Sequence, residues 1–313
     1  MRYIKELREG EMVTEVYLVK QCQILKAKTG KNYMSLTLQD KSGSLDAKAW
    51  DLGPAIANVE PLDFVKVEGQ VTSFQSALQL NVRRLRKADE GEYDQADYIP
   101  TTEKDRKEMF RELKGYIDSV KEPHLKALLQ NVFNDNDIAA RFMNHSAAKA
   151  IHHAFVGGLL EHTLSVTKMC AYLADSYPIL NRDLLITAAI FHDIGKLSEI
   201  SSFPENDYTD DGNLLGHIFL GAEFVGKKME EVPHFPAGLA SELRHCILAH
   251  HGELTYGSPK KPAIAEALAL SMADNLDAKM ECLKELFAGN DAEGAWLGYQ
   301  KLFESNIRIT SKQ

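Results

Sequence analysis

Hydrophobic and polar positions change their rhythm once along this chain. Over the first 90 residues the period is two. Residues 33–39 set Met34, Leu36 and Leu38 on one face and Tyr33, Ser35 and Thr37 on the other. Residues 44–50 set Leu45, Ala47 and Ala49 opposite Asp46, Lys48 and Trp50, and Asp40-Lys41-Ser42-Gly43 supplies the turn between the two runs. The Val- and Tyr-rich residues 12–20, with residues 64–71 and 78–85, predict three further strands, and a short helix-like piece is expected after Pro54. From Glu103 onward the period is helical almost to the end. Residues 103–120 and 123–133 predict two helices, with Pro123 suited to a helix start. Apolar helices follow over residues 159–176, 183–191 and 263–287, with others around His217 and before His250.

Five strands with a short helix after the third is the order of an OB-fold barrel. The acidic, turn-rich stretch 88–102 reads as a linker. The expected fold is therefore multidomain α and β: a five-stranded OB-fold nucleic-acid-binding barrel over 1–88, an acidic linker and bridging helices over 89–144, and an all-α domain over 145–313.

Charge sharpens that division. The chain carries a net charge of −9, yet residues 1–88 hold 14 Lys/Arg against 10 Asp/Glu, so the remainder carries −13. A mildly basic module beside an acidic one fits a strand binder next to a cation site, although such an excess is also common on a solvated face. The four cysteines are far apart and form no CxxC pair, which argues against a cysteine zinc site and for a reducing cytoplasm. No apolar run approaches the ~20 residues of a membrane span, and the N-terminus lacks the apolar core of a signal peptide.

The candidate chemistry lies in the second half. His162 shares a helix face with Val166, Met169 and Leu173, so it points into the core. His192-Asp193 closes an apolar helix and is followed by Ile194-Gly195-Lys196, with Gly195 suited to a helix C-cap. His217 falls on one face with Leu220 and Phe224, near a helix start. His250-His251 ends the next helix. Asp274 shares its face with Ala263, Ala267 and Leu270; Asp277, one turn on, borders a polar stretch and is the weaker candidate. A lone inward histidine is usually a satisfied core residue. Seven such groups in apolar surroundings are costly to bury without a cation, and His/Asp sets are ligands of hydrolytic divalent metals. An aspartate beside His192 has two oxygens and can bridge two ions.

The order H…HD…H…HH…D, with the HD pair in the form HDxGK, resembles the HD-domain phosphohydrolase superfamily. An OB-like module ahead of HHAFVGGLLEHT and FHDIGK is similar, over nearly the whole chain, to the YhaM-type 3′→5′ exoribonucleases. The resemblance implies that residues 145–313 form an HD phosphohydrolase domain. It implies that His162, His192, Asp193 and Asp274 are core metal ligands. His217, His250 and His251 are then the added ligands of two-metal members, with Asp193 as bridge and catalytic centre. Lys196 becomes a catalytic, phosphate-facing lysine; on residues alone it is equally a lysine drawn to a helix end by the dipole. The cofactor implied is divalent, two ions per chain, with Mn²⁺ favoured and Fe²⁺ or Co²⁺ compatible with the ligands.

On the barrel, Trp50 and Tyr33, with Lys28, Lys31 and Lys48, offer aromatic faces beside cations, the means by which OB folds hold single strands. Equally, Trp50 closes the barrel and the lysines solvate a loop. Arg83, Arg84 and Arg86 extend the track or cap a sheet edge. His153, beside His152, is a candidate phosphate contact, while His124, His145, His234 and His245 read as structural or surface groups. The leading expectation is a cytoplasmic metal-dependent 3′→5′ exoribonuclease acting on single-stranded RNA, with single-stranded DNA a second substrate and a homo-oligomer left open. The alternatives are a hydrolase of a signalling nucleotide, which has no need of a strand-binding module, and a non-catalytic single-strand or DNA-binding protein.

Overall fold

The computed structural model describes residues 1–27, 30–74, 77–94, 97–149, 155–288 and 294–311. Five strands, β1 (Met12–Lys26), β2 (Asn32–Asp40), β3 (Gly43–Ala49), β4 (Phe64–Phe74) and β5 (Ala77–Lys87), close into an OB-fold barrel in the order β1-β2-β3-β5-β4. All neighbours pair antiparallel except β3 with β5. The alternation on β2 and β3 sends Met34, Leu36, Leu38, Leu45, Ala47 and Ala49 inward against Val65, Val67, Val71 and Leu80. β1 outruns its Val-rich stretch because its two halves serve different neighbours. Residues 12–18 pair with β4 and residues 18–26 with β2. The second half is mostly exposed, so it has no apolar period to betray it.

The helix expected after Pro54 is absent. Residues 51–63 form an irregular strap with turns at 54–55 and 61–62, in which Ile56 bridges Leu85. The Ala57 N–H donates to the Leu85 carbonyl and the Leu85 N–H to that of Ala55, both at 2.9 Å. Pro54 and Pro61 leave only residues 55–60 between them. That leaves room for little more than one helical turn, and Pro61 disfavours helical backbone at Glu60.

The acidic linker is clamped rather than loose. Tyr98 is buried against Val16 and Leu18, and Tyr93 stacks on Phe64 with ring centroids 3.9 Å apart. Arg86 and Lys66 hold Glu92 at 2.7 and 2.9 Å. The Thr102 N–H then donates to the Val156 carbonyl and the Val156 N–H to that of Pro100, which ties the linker to the helical half.

That half comprises α1 (Arg106–Ser119), α2 (Pro123–Phe133), α3 (Asn136–Asn144), α4 (Gly158–Ser176), α5 (Arg182–Phe191), α6 (Lys196–Glu199), α7 (Asp210–Glu230), α8 (Ala237–Ala249) and α9 (Ala265–Ala288). Side chains of Asp105, Glu122, Asp135, Asn181 and Thr209 accept N–H groups that helix starts leave without partners. The first three helices share one core with the rest: Leu113, Leu129, Val132 and Phe142 pack with Leu159, Leu160, Leu185 and Ile190. From Leu184 to its end, α5 is buried on every side. Full burial of each such side chain contributes roughly 1.5–3 kcal/mol, so its C-terminus is firmly placed. Helix does not run to the end of the chain, because β6 (Trp296–Gln300) and β7 (Ser305–Arg308) form an aromatic hairpin. Among the described residues no helix is long and apolar enough to cross a membrane.

Candidate metal centre and nucleic-acid face

Five histidines converge from four helices, and each is oriented from behind. His192 and His250 use the same local device. Each follows the last residue of its helix and gives Nδ1 to a carbonyl three residues back, Ala189 and Ile247 respectively, at 2.7 Å. Those carbonyls are among the last-turn acceptors a helix leaves open. His251 gives Nδ1 to the Tyr256 carbonyl at 2.7 Å. His162, on α4, has Nδ1 2.7 Å from Asp277 Oδ2, and Ser165 donates to the other oxygen of that carboxylate. His217 has both Nδ1 and its backbone N–H on Glu199 Oε1, at 2.9 and 3.0 Å. Carbonyl and carboxylate oxygens only accept, so Nδ1 carries the proton in each ring and Nε2 presents a lone pair to the centre.

Asp193 lies between two groups of these lone pairs. Its Oδ2 is 3.4 Å from both His162 Nε2 and His192 Nε2. Its Oδ1 is 3.5 Å from His217 Nε2 and 3.6 Å from His250 Nε2. Asp274 Oδ1 joins the first group, 3.2 Å from His162 Nε2. Within that group the Nε2 atoms of His162 and His192 approach to 3.1 Å with both Nδ1 atoms already committed, an approach that requires a proton or a cation between them. In the second group, Asp193 Oδ1, His217 Nε2 and His250 Nε2 are buried without a hydrogen-bond partner. Each such orphan costs about 1–3 kcal/mol, and three acceptors aimed at one point are offset by a cation. His217, His250 and His251 have ligand spacing, as do His162, His192 and Asp193. The residues therefore fit two divalent ions, with Asp193 placed to touch both.

Electrostatics agree. Burial opposes charge on His162, but Asp274 and Asp277 outweigh it and push the imidazole up to about 10. The carboxylates thus hold a positive charge at this point, a role a metal ion takes over when it displaces the proton. Burial raises Asp193, yet Lys196 and His192 outweigh it and hold the carboxylate well below its usual range. Burial and the neighbouring His251 push His250 well down, which keeps its ring neutral as a ligand must be. Lys196 Nζ lies 2.7 Å from Asp193 Oδ2, so it belongs to the cluster and not merely to a helix end.

Two backbone features bring α6 and α7 to the centre. Gly195 is not a left-handed C-cap; its φ of −64° is ordinary helix. The position excludes a side chain because a Cβ would lie 2.1 Å from the His217 carbonyl. Gly216, at φ 74°, breaks α7 internally, so His217 opens the second segment of that helix rather than the helix itself. Ala263 lies outside α9 and is exposed, whereas Ala267 and Leu270 are buried on the Asp274 face as expected.

Sequence reasoning left out Glu199 and set Asp277 aside, and both lie behind clustered imidazoles, those of His217 and His162. Asp277 lies three residues after Asp274, on the same helix face, a spacing that could have retained it. Glu199 lies three after Lys196, but only the fold of α6 onto α7 reveals its partner.

On the barrel, Trp50 does not close the core. It is 50% exposed and stacks on Tyr33 with centroids 4.6 Å apart. Lys31 is exposed nearby in sequence. Lys48 is already engaged, its Nζ 2.7 Å from both Ser35 Oγ and Asp46 Oδ1. Arg86 holds the linker and Arg84 pairs with Glu68. Lys28, His152 and His153 lie outside the described residues.

Residues 159–279 match the HD domain family and residues 12–88 the OB-fold nucleic acid binding domain family. The chain is 38% identical over 273 residues to the 3′-5′ exoribonuclease YhaM of Bacillus velezensis, covering 87% of this chain and 86% of that one. Among solved structures, the second OB-fold domain of replication protein A from Methanococcus maripaludis matches at 23% identity and TM-score 0.24, over 29% of this chain and 96% of that one. A replication protein A heterotrimer bound to ssDNA matches at 18% identity and TM-score 0.22, over 28% and 64% respectively.

Proposed function

The chain belongs to the YhaM family of HD-domain 3′-5′ exoribonucleases, and on that premise we propose that it removes nucleotides one at a time from the 3′ end of single-stranded RNA in the cytoplasm. Direction and substrate come from the family. The observation that carries the chemistry is Asp193, whose two oxygens face two separate groups of imidazole lone pairs.

His162, His192 and Asp274 would hold one divalent ion and His217, His250 and His251 the other, with Asp193 shared between them. Mn²⁺ is the favoured metal. Such ions supply Lewis-acid polarisation of the phosphate and an acidified water. The protein holds the lone pairs in place through Nδ1 and sets Lys196 where charge develops on the phosphoryl oxygens. The water oxygen forms the new bond to phosphorus and the bond to the 3′-oxygen of the preceding nucleotide breaks. That oxygen leaves with a proton, giving a nucleoside 5′-monophosphate and a strand one residue shorter. Tyr33 and Trp50 offer a stacking platform for upstream bases, with exposed Lys31, two residues before Tyr33, for the backbone. Stacking is indifferent to the sugar, so single-stranded DNA is a second substrate.

The test uses 5′-labelled RNA and DNA with Mn²⁺. The parent should give a ladder shortening from the 3′ end and release mononucleotides, and elemental analysis should find two ions per chain. Asp193→Ala should lose about a hundred- to a thousandfold in rate, because the carboxylate placed to hold both cations is gone and with it the charge stabilisation they would supply to the phosphate. A parent that releases no mononucleotides, or an Asp193→Ala protein that matches it, defeats the proposal.

A further inference from the structure

A hollow of about 260 Å³ opens directly beside the metal cluster, lined by His251, Tyr256, Leu268, Met272, Asn275 and Lys261 among others. Three observations distinguish it from an ordinary surface dent. It shares His251 with the second group of ligands. Its wall includes Tyr256, whose carbonyl orients that same histidine while its side chain is left 64% exposed. Apolar groups, Leu268 and Met272, are exposed on α9 one turn apart, and polar Asn275 follows on the same helix. Apolar walls with a few placed polar groups are the composition of small-ligand sites. The volume falls below the ~300–1,000 Å³ of drug-sized sites, which leaves room for one nucleoside and not for a length of strand.

We propose that this hollow receives the 3′-terminal nucleoside of the strand being degraded, and retains it briefly as the nucleoside 5′-monophosphate product. The inference rests on the exoribonuclease reading. In that reaction the terminal nucleoside hangs from the scissile phosphate through its own 5′-oxygen. With the phosphate at the metals, its base must lie within one nucleotide's reach of the ligands, and the hollow begins at a ligand. Tyr256 and Met272 offer flat and polarisable contacts that suit any base, and Asn275, with the Lys261–Glu253 pair at 2.6 Å, offers polar contacts for the sugar and base edges. Because one nucleoside fits, the scissile bond is fixed as the last one in the chain, which is what exonucleolytic release of mononucleotides requires.

Two measurements on the full-length, Mn²⁺-loaded protein test this. One is adenosine 5′-monophosphate binding by calorimetry. The other is kcat/KM on an oligoribonucleotide against the same strand lacking its 3′-terminal base. The parent should favour the base-bearing strand about tenfold, within what one stacked base contributes. Tyr256→Ala and Met272→Ser should each lose most of that preference and bind adenosine 5′-monophosphate about tenfold more weakly, with Mn²⁺ stoichiometry unchanged. A parent that hydrolyses both strands equally, or variants that bind the monophosphate as the parent does, overturns the pocket and leaves the exonuclease standing. A parent without hydrolysis overturns the exonuclease reading, and with it the substrate role assigned to the hollow. Should Met272→Ser instead change the oligomeric state and leave monophosphate binding intact, this face belongs to a second copy and the inference fails.

Discussion

The barrel and the helical domain use burial in opposite ways. In the barrel the core is apolar, buried Gln39 and Asp40 at the end of β2 being spent on backbone hydrogen bonds, and the groups suited to a ligand face outward, with Trp50 half-exposed on Tyr33. In the helical domain the candidate ligand-binding groups are themselves buried: His192, His250 and Asp193 are at most 2% exposed. An exposed platform contributes a little per residue and tolerates loss of one contact. A buried cluster of lone pairs is interdependent, since removing one orienting partner frees a ring that no solvent can restrain. The two domains should therefore respond to substitution on different scales.

After Asp193 itself, the largest effect in this comparison should come from residues placed behind the buried imidazoles. Glu199 and Asp277 each hold the Nδ1 side of one candidate ligand, His217 and His162. Outer partners of metal-binding histidines typically account for 10- to 100-fold in metal affinity. Glu199→Gln and Asp277→Asn should weaken Mn²⁺ binding by about that much, measured by equilibrium dialysis and by Mn²⁺ dependence of hydrolysis, with activity returning at high Mn²⁺. Unchanged affinity in both variants would mean the rings are held by packing alone.

An intermediate effect belongs to the barrel. Trp50→Ala should raise KM for a long single strand about tenfold, from the loss of one stacking face. It should leave kcat alone and have no effect on a dinucleotide too short to reach the barrel. Lys48→Ala should do less, because Lys48 is already neutralised by Asp46. A kcat defect in Trp50→Ala would break the division of labour between the domains.

That contrast also explains what the sequence made legible. Histidines and aspartates on apolar helix faces stand out because burial opposes them, so His162, His192, Asp193, His217, His250, His251 and Asp274 are legible in the sequence, with the family resemblance to give them candidate roles. Period-two alternation revealed β2 and β3 for the same reason, a one-sided core. What escaped notice had no such conflict. The outer half of β1 is exposed and paired by backbone alone. The strap after Pro54 is organised by hydrogen bonds to Leu85, a partner distant in sequence. Glu199 looks like any helix-end carboxylate until α7 folds back over Gly195. On the barrel face, Lys48 and Trp50 share a strand face in sequence, but only the fold shows one engaged and the other stacked in the open.

The smallest effect on activity, and the sharpest on where stability resides, comes from acid. All eleven histidines lie beyond residue 123, so the barrel has none. His145 is buried, accepts the Ser146 N–H at Nδ1 and faces backbone carbonyls around α6. Burial, reinforced by Arg141, pushes its pKa down to about 4. The folded state thus binds this proton less readily than the unfolded chain, whose imidazole titrates near 6.5. The stability that the neutral ring contributes is complete above about pH 6.5 and is lost as pH falls toward 4, on the order of 1–3 kcal/mol. In metal-free protein, which removes the coupled loss of cations, His145→Asn should flatten the fall in Tm between pH 6.5 and 4 relative to the parent. With Trp296 replaced by Phe, the remaining Trp50 reports on the barrel alone. Its transition should hold over the pH range in which the helical far-UV signal weakens. If the parent and His145→Asn lose Tm in parallel, the acid limb belongs to other groups; if the Trp50 transition falls with the helices, the linker clamp at Tyr93 and Tyr98 couples the two domains into one folding unit.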